Sequence, residues 1–540
     1  MSRTARLTSL RGAALRSAVS CAAVLILAAG ADAADTVRDT RLVEAVKTGN
    51  TTAAVALLQK KANPNGAEAD GTTPLHWAVR NNDLTLMDRL IRAGANTKTA
   101  NRFGATPIQL ACENGSPEAV TRLLKAGVSP NATGEFGETA LMTCARTGVV
   151  PAAKALIEAG ASVDAIESWR GQTALMWAAA EGHADMVKAL IAAGADKNAR
   201  STIVVWERQR SQEPRDKWLP PGGLTPLQLS ARQGRLEATQ ALVEAGADDN
   251  LVDPDRHTPI ILALINGHVD VAKYLIEKGA DVNMADKVGR TALWAAVDLH
   301  RVPMSNRPAP REFDDKATSL DVIQALLARG ATVDAALRQQ VPYRTKLDRG
   351  GDGALGSGTT PLLRAAKSAD TEVIKLLIAK GANAKATTTT GINPLMMAAN
   401  VGTKEEDMSG RGKSQQEIID SAKLLLASGV DINAADTNGR TAAHGAAIWG
   451  LTDVVKFLHA NGANLAQKDK RGLSTLDAAM GKTGGFGFDG RSGVERPETV
   501  KAIRELLGPE AAEAAINKAP PSAEPDRARQ RQLNGETDSQ

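Results

Sequence analysis

A glycine that returns every 33 residues constrains this chain more than any other feature. Gly71, Gly104 and Gly137 are 33 apart; so are Gly223, Arg256 and Gly289, then Gly358 and Gly391, then Gly439 and Gly472. Gly171 opens one more copy, and Arg256 stands once in the glycine slot. The cleanest unit covers residues 171–198, GQTALMWAAAEGHADMVKALIAAGADKN. Such a period marks one supersecondary unit that cannot bury its apolar face alone, so stacked copies share a continuous core. At 540 residues the chain would otherwise suggest several globular domains. With 43% apolar but only 3% aromatic residues, that core is built of Ala, Leu, Ile and Val.

Each part of the unit has a physical job. The glycine supplies a turn conformation that a β-carbon disfavours. The Thr two residues on caps a first helix, and Pro at the next position suits its first turn. Where Ala140, Ala174, Ala292 or Ala442 replaces that Pro, a helix start is still expected. The first helix is short and Ala-rich, so neighbours can approach closely. The second carries apolar residues at helical spacing, as at Val373, Ile374, Leu376 and Leu377. A later glycine, such as Gly94 or Gly194, ends it in a left-handed conformation.

This period, with Thr73-Pro74-Leu75-His76 and Thr106-Pro107-Ile108 inside it, resembles the ankyrin repeat and recurs eleven times in register. The resemblance spans roughly residues 39–508. It implies an all-α solenoid of paired antiparallel helices with β-turn fingers. It further implies that fingers and first helices line a concave surface. His76 and His444 would hydrogen-bond the turns between repeats, and His183 and His268 would fill the helix-connecting turns.

Residues 39–66 read as a degenerate capping repeat, with Lys61 where the cap glycine belongs. The array proper is assigned to 67–508. Five insertions break its period. Two extend fingers, near 198–222 and 338–357; three separate the helices of one repeat, near 300–318, 401–414 and 481–497. The first carries Ile203, Val204, Val205, Trp206, Trp218 and Leu219, and is expected to fold down onto its surroundings. Residues 509–540 read as a partial helical cap and a disordered, Pro- and Arg-rich tail.

The first 33 residues read as a cleaved signal peptide. Arg3, Arg6, Arg11 and Arg16 precede an apolar run over roughly 18–29, and Ala31-Asp32-Ala33 follows. The run is short for a membrane span, an uncleaved anchor being the competing reading. Cleavage removes four arginines and Asp32, so the net charge falls from +4 to +1. No basic stripe with interleaved aromatics remains, which argues against nucleic acid as a partner. The expectation is a monomer in a periplasm, or secreted, with no membrane insertion after cleavage. Cys112 and Cys144 lie in the Ala-rich segments of adjacent repeats. At a helix spacing of about 10 Å they are expected to be core thiols rather than a disulfide.

No motif carries catalysis or a cofactor. H-x-x-x-H, H-E-x-x-H and C-x-x-C are missing, as are G-x-S-x-G and G-x-x-x-x-G-K-[ST]. His257, His300 and His459 stand isolated in the sequence. Gly485-Phe486-Gly487 follows no strand and so makes no phosphate cradle. Neither enzyme activity nor a cofactor is expected.

Binding residues are better marked. In the ankyrin family the residues just before the repeat glycine sit on fingertips and commonly contact partners. Here three successive slots hold Arg102-Phe103, Glu135-Phe136 and Trp169-Arg170. The next finger is the insertion with Trp206, Arg208, Arg210 and Trp218. Aromatics and Arg are the types enriched at interface hot spots. Two readings stay open: these residues contact a protein partner, or they pack on neighbouring fingers and the tryptophans anchor their own insertion. Trp77 and Trp177 are expected in the core. Glu113, Asn114, Arg146, Thr147 and Glu181 are expected on the groove-facing rim. The function expected is non-catalytic protein binding by an exported scaffold. The alternatives are a periplasmic accessory factor protecting or delivering a redox or transport enzyme, and a small-molecule or metal sensor using the Gly-rich insertions.

Overall fold

The computed structural model describes residues 39–205, 221–301, 315–341, 354–403, 413–482 and 494–518. Twenty-five α-helices run through these residues, and the only extended pairing among them is three isolated bridges, one being Ile203 with Gly222. Each complete repeat contributes an inner helix and an outer helix. In the repeats from Gly71 to Arg256 the inner helices are seven or eight residues long and the outer ones nine or ten. Inner helices pack on the inner helices of the next repeat, and outer on outer along most of the stack. A main apolar core, from Leu42 to Ala512, runs between the two layers, beside a small second cluster of Met176, Leu224, Leu229 and Leu262.

The caps explain why the helices begin where they do. Thr73, Thr106 and Thr225 each accept a hydrogen bond from the backbone N–H three residues on. The side chain at that third position returns the bond and then reaches the next repeat. His76 Nδ1 accepts from the Thr73 N–H at 3.2 Å, so Nε2 carries the proton and donates to the Ala105 carbonyl at 3.0 Å. Gln109 and Gln228 do the same with an amide, reaching the carbonyls of Glu138 and His257. His444 repeats the histidine version onto Leu473. Burial pushes both His76 and His444 below the ordinary histidine pKa, in keeping with the neutral ring. The helices that start at Ala140, Ala174, Ala292 and Ala442 form without the proline. Five described positions enter the left-handed region without glycine: Lys61 at φ 59° and Arg256 at φ 63°, which stand in glycine slots of the repeat, and Asn82, Ala369 and Asn400.

Fingertips are joined by backbone hydrogen bonds. The N–H groups of Arg102, Ser168, Thr202, Lys287, Thr437 and Lys470 donate to the preceding finger at 2.7–2.9 Å. Two steps lack such a bond among the described residues. Between the fingers of Gly223 and Arg256, Arg200 spans the gap instead, donating to the carbonyls of Gly223 and Val252. Between the Phe103 and Phe136 fingers the tie lies deeper: Cys112 and Cys144 form a disulfide with Cα atoms 4.7 Å apart.

That bridge overturns the expectation of two unpaired core thiols. The figure of about 10 Å is an interaxial distance. Residues facing each other across two small-residue helices come far nearer. Ala111 and Ala145, beside the two cysteines, are wholly buried and hold no bulk that would keep the backbones apart. A Cα separation of 4.7 Å lies within disulfide range.

Candidate functional site

The finger before Gly171 is built around Glu167. This carboxylate is 4% exposed and accepts hydrogen bonds from the N–H groups of Trp169 at 2.6 Å, Arg170 at 2.9 Å and Gln172 at 2.9 Å. Three charge-assisted bonds fix the tip and aim its side chains outward. The Arg170 guanidinium lies over the Trp169 ring at 4.3 Å. One finger earlier, Glu138 accepts from the Phe136 N–H at 3.0 Å. One before that, Asn101 accepts from the N–H groups of Phe103 and Ala105. Each tip is therefore held by its own side chain.

The three aromatic rings stand in solvent. Phe103 is 77% exposed, Phe136 59% and Trp169 70%, which excludes the reading that they pack away on neighbouring fingers. They line one groove of about 320 Å³ together with Arg170. Its floor comes from inner helices. Arg146 of the helix Ala140–Thr147 pairs with Glu113 at 3.2 Å and lies 5.8 Å from the Trp177 ring. Trp177 itself is half-buried, and its Nε1–H has no acceptor among the described residues.

Beyond Trp177 the next inner helix, Pro226–Arg232, ends in a half-buried arginine and packs against the helix Ala174–Glu181. Burial first, and the Arg170 charge second, push the Arg232 guanidinium below its usual pKa, though it stays charged at neutral pH. Neither guanidinium finds a hydrogen-bonding or ion-pair partner among the described residues.

Comparison with family models places this architecture. Models for ankyrin repeats match residues 10–101, 108–201, 211–286 and 227–305 with the three-copy pattern, 418–459 with the many-copy pattern and 357–389 with a single repeat. The chain belongs to the ankyrin-repeat family. Ankyrin arrays are in general non-catalytic protein-interaction scaffolds, and the groove lies on the finger and inner-helix side that the resemblance implies.

Within this ankyrin array the fingertip residues fall into three groups. Phe103, Phe136, Trp169 and Arg170 come together around the groove. Arg102 and Glu135 are exposed on the same fingers but do not line it. Trp206, Arg208, Arg210 and Trp218 lie outside the described residues, as do the Gly-rich centres of the other insertions. At the foot of the first insertion Val205 is 89% exposed.

Several placements correct the sequence reading. Trp77 and Trp177 are not core: both are half-buried. Trp77 donates to Glu68 at 2.8 Å and carries Lys47 and Arg80 near its ring. Asn114 and Thr147 serve the scaffold, donating to the Val79 and Cys112 carbonyls of the preceding repeat. His257 and His300 are isolated only in sequence. His257 meets Asp253 at 2.9 Å, and His300 meets Ser319 at 2.8 Å. Among the described residues no group of three or more His, Cys, Asp or Glu could hold a metal. No helix there is long and apolar enough to cross a membrane.

Trp177 and Glu167 line the groove and were missed by the sequence reading. Trp177 had a signal: it sits six residues past the repeat glycine, on the surface that carries Arg146 nine past its own.

Proposed function

We propose that this protein recognises a protein partner through the groove between the Phe103, Phe136 and Trp169 fingertips and the inner helices beneath them. The observation that carries this is the exposure of three large rings on consecutive, internally fixed fingers, in a chain with 3% aromatic residues. A rigid tip loses little conformational entropy when it binds. Exposed aromatics that converge on one concavity are the usual signature of an interaction surface.

The site of action is an oxidising compartment outside the cytoplasm, a periplasm in the first instance and the exterior in the second. The signal-like first 33 residues support this, and so does the buried Cys112–Cys144 bridge, since reducing compartments keep thiols unpaired.

The test is a pull-down from periplasmic extract with the unmodified protein and with the F103S/F136S/W169S variant. The variant should keep its melting temperature and lose the captured proteins. An intact variant that captures the same set would remove this face from consideration.

A further inference from the structure

We infer that the partner presents a proline-rich segment, laid across the Phe103, Phe136 and Trp169 rings with one proline on each fingertip. This rests on the protein-binding reading above and narrows it to one chemistry.

Spacing selects the conformation of the segment. The three exposed rings stand one to a finger on consecutive repeats. The inner helices of those repeats, Pro107–Glu113, Ala140–Thr147 and Ala174–Glu181, pack directly on one another. Their fingers therefore follow at a helix-packing distance of about 8–10 Å. A polyproline II helix has three residues per turn and rises about 3.1 Å per residue, so one face recurs every ~9.3 Å. Proline at every third position thus sets one pyrrolidine ring against each aromatic. A β-strand presents one face about every 6.8 Å and falls out of step by the third finger.

Hydrogen-bonding capacity selects the residue type. Three carboxylates line the groove, and each already has a partner. Glu167 accepts from three N–H groups of its own finger, Glu138 accepts from the Phe136 N–H, and Glu113 pairs with Arg146. A donor stays open: the Arg170 guanidinium, seated over the Trp169 ring, meets no acceptor among the described residues. Such a surface suits a segment that accepts without donating. Proline carries a carbonyl and no N–H, so a docked proline leaves no donor unmet. A basic segment would compete for carboxylates already taken, and an acidic one would find a single exposed arginine.

Order on both sides favours the same pairing. The tips are fixed by Glu167, Glu138 and Asn101 before any partner arrives. A polyproline segment is likewise extended before it binds, so association costs little conformational freedom.

The test uses the full chain and three labelled decapeptides of alanine and serine. One carries proline at every third position, one carries the same prolines side by side, and one carries leucine at every third position. Fluorescence anisotropy reports binding. The first should bind at least about tenfold more tightly than the other two, and added salt should leave its affinity unchanged. F136S should weaken it about tenfold or more, the loss typical of a hot-spot ring. F136Y keeps the ring and should bind as the unmodified protein does. Equal binding of the leucine peptide would make the groove a general apolar surface and overturn the proposal. No binding of the first peptide, equal binding of the side-by-side prolines, a steep loss with salt, or F136Y as weak as F136S overturns it too. The broader reading fails separately: F103S/F136S/W169S would then capture the same proteins from extract whatever these peptides do.

Discussion

The two ends of the array use arginine in opposite ways. Six residues past its repeat glycine, Trp177 half-faces a groove; six past Gly358, Arg364 is 2% exposed. Around Arg364 the C-terminal repeats have closed on themselves. Its guanidinium donates to the Asp298 carboxylate and to the carbonyls of Asp298 and Arg301, and Arg301 in turn approaches Asp370 and Glu417. In the N-terminal repeats Arg170 and Arg232 meet no acceptor among the described residues, and the aromatics stand in water. The backbone plan is the same at both ends. What differs is whether these arginines find an acceptor within the described chain. Under the proposed function, the open end is the face left for a partner.

Breaking the closed end should show the largest effect. R364A leaves the Asp298 carboxylate without its main partner and should destabilise the C-terminal repeats by about 3–5 kcal/mol, read as a lower denaturant midpoint. Captured proteins should be unchanged. If R364A shifts the midpoint no more than an ordinary surface substitution, the two ends do not differ as described.

The disulfide comes next. Removing it with C112A/C144A should cost about 2–4 kcal/mol, with the melting temperature of the unmodified protein under reductant falling to match. Identical melting with and without reductant would mean that no bridge forms.

Glu167 tests how the open end is held. E167A should cost about 1–3 kcal/mol, because three N–H groups lose their acceptor. Amide exchange should quicken at Trp169, Arg170 and Gln172 while the helix Ala174–Glu181 stays protected. Uniform loss of protection would assign Glu167 to the core of the repeat and not to its finger.

The smallest effect concerns pH. His76 and His444 have folded-state pKa values lowered by burial, so the neutral ring is the native form. Their contribution is complete above the unfolded histidine value of 6.5 and is lost as pH falls below it toward the depressed folded values. Gln109 and Gln228 make the same two bonds without titrating. H76Q/H444Q should therefore match the unmodified protein at neutral pH and resist mild acid better. A melting curve with equal acid sensitivity in both would locate that sensitivity elsewhere.

The fold was legible because its signals are local. A threonine caps the helix it precedes, and a glycine at fixed period turns the chain whatever its neighbours do. Even Lys61, where the cap glycine is missing, takes the left-handed conformation that the period demands. Fingertip aromatics were legible for the same reason, since a slot before the glycine is a tip in any repeat. What escaped depends on pairs of repeats. Nothing local distinguishes a cysteine facing another cysteine from one facing alanine, or Trp177 at a groove from the same ring in a core. Glu167 reads as ordinary surface until its carboxylate is seen to take three backbone donors.

The single bridge between neighbouring repeats has a mechanical consequence. Pulled from its ends, a stack in which each unit touches only its neighbours peels apart a few tens of residues at a time. Cys112 and Cys144 are 32 residues apart in sequence, so that much chain cannot lengthen while the bond is intact. The oxidised molecule should fall short of its full extension by about 110 Å, and a reductant added to the stretched chain should release that length in one step.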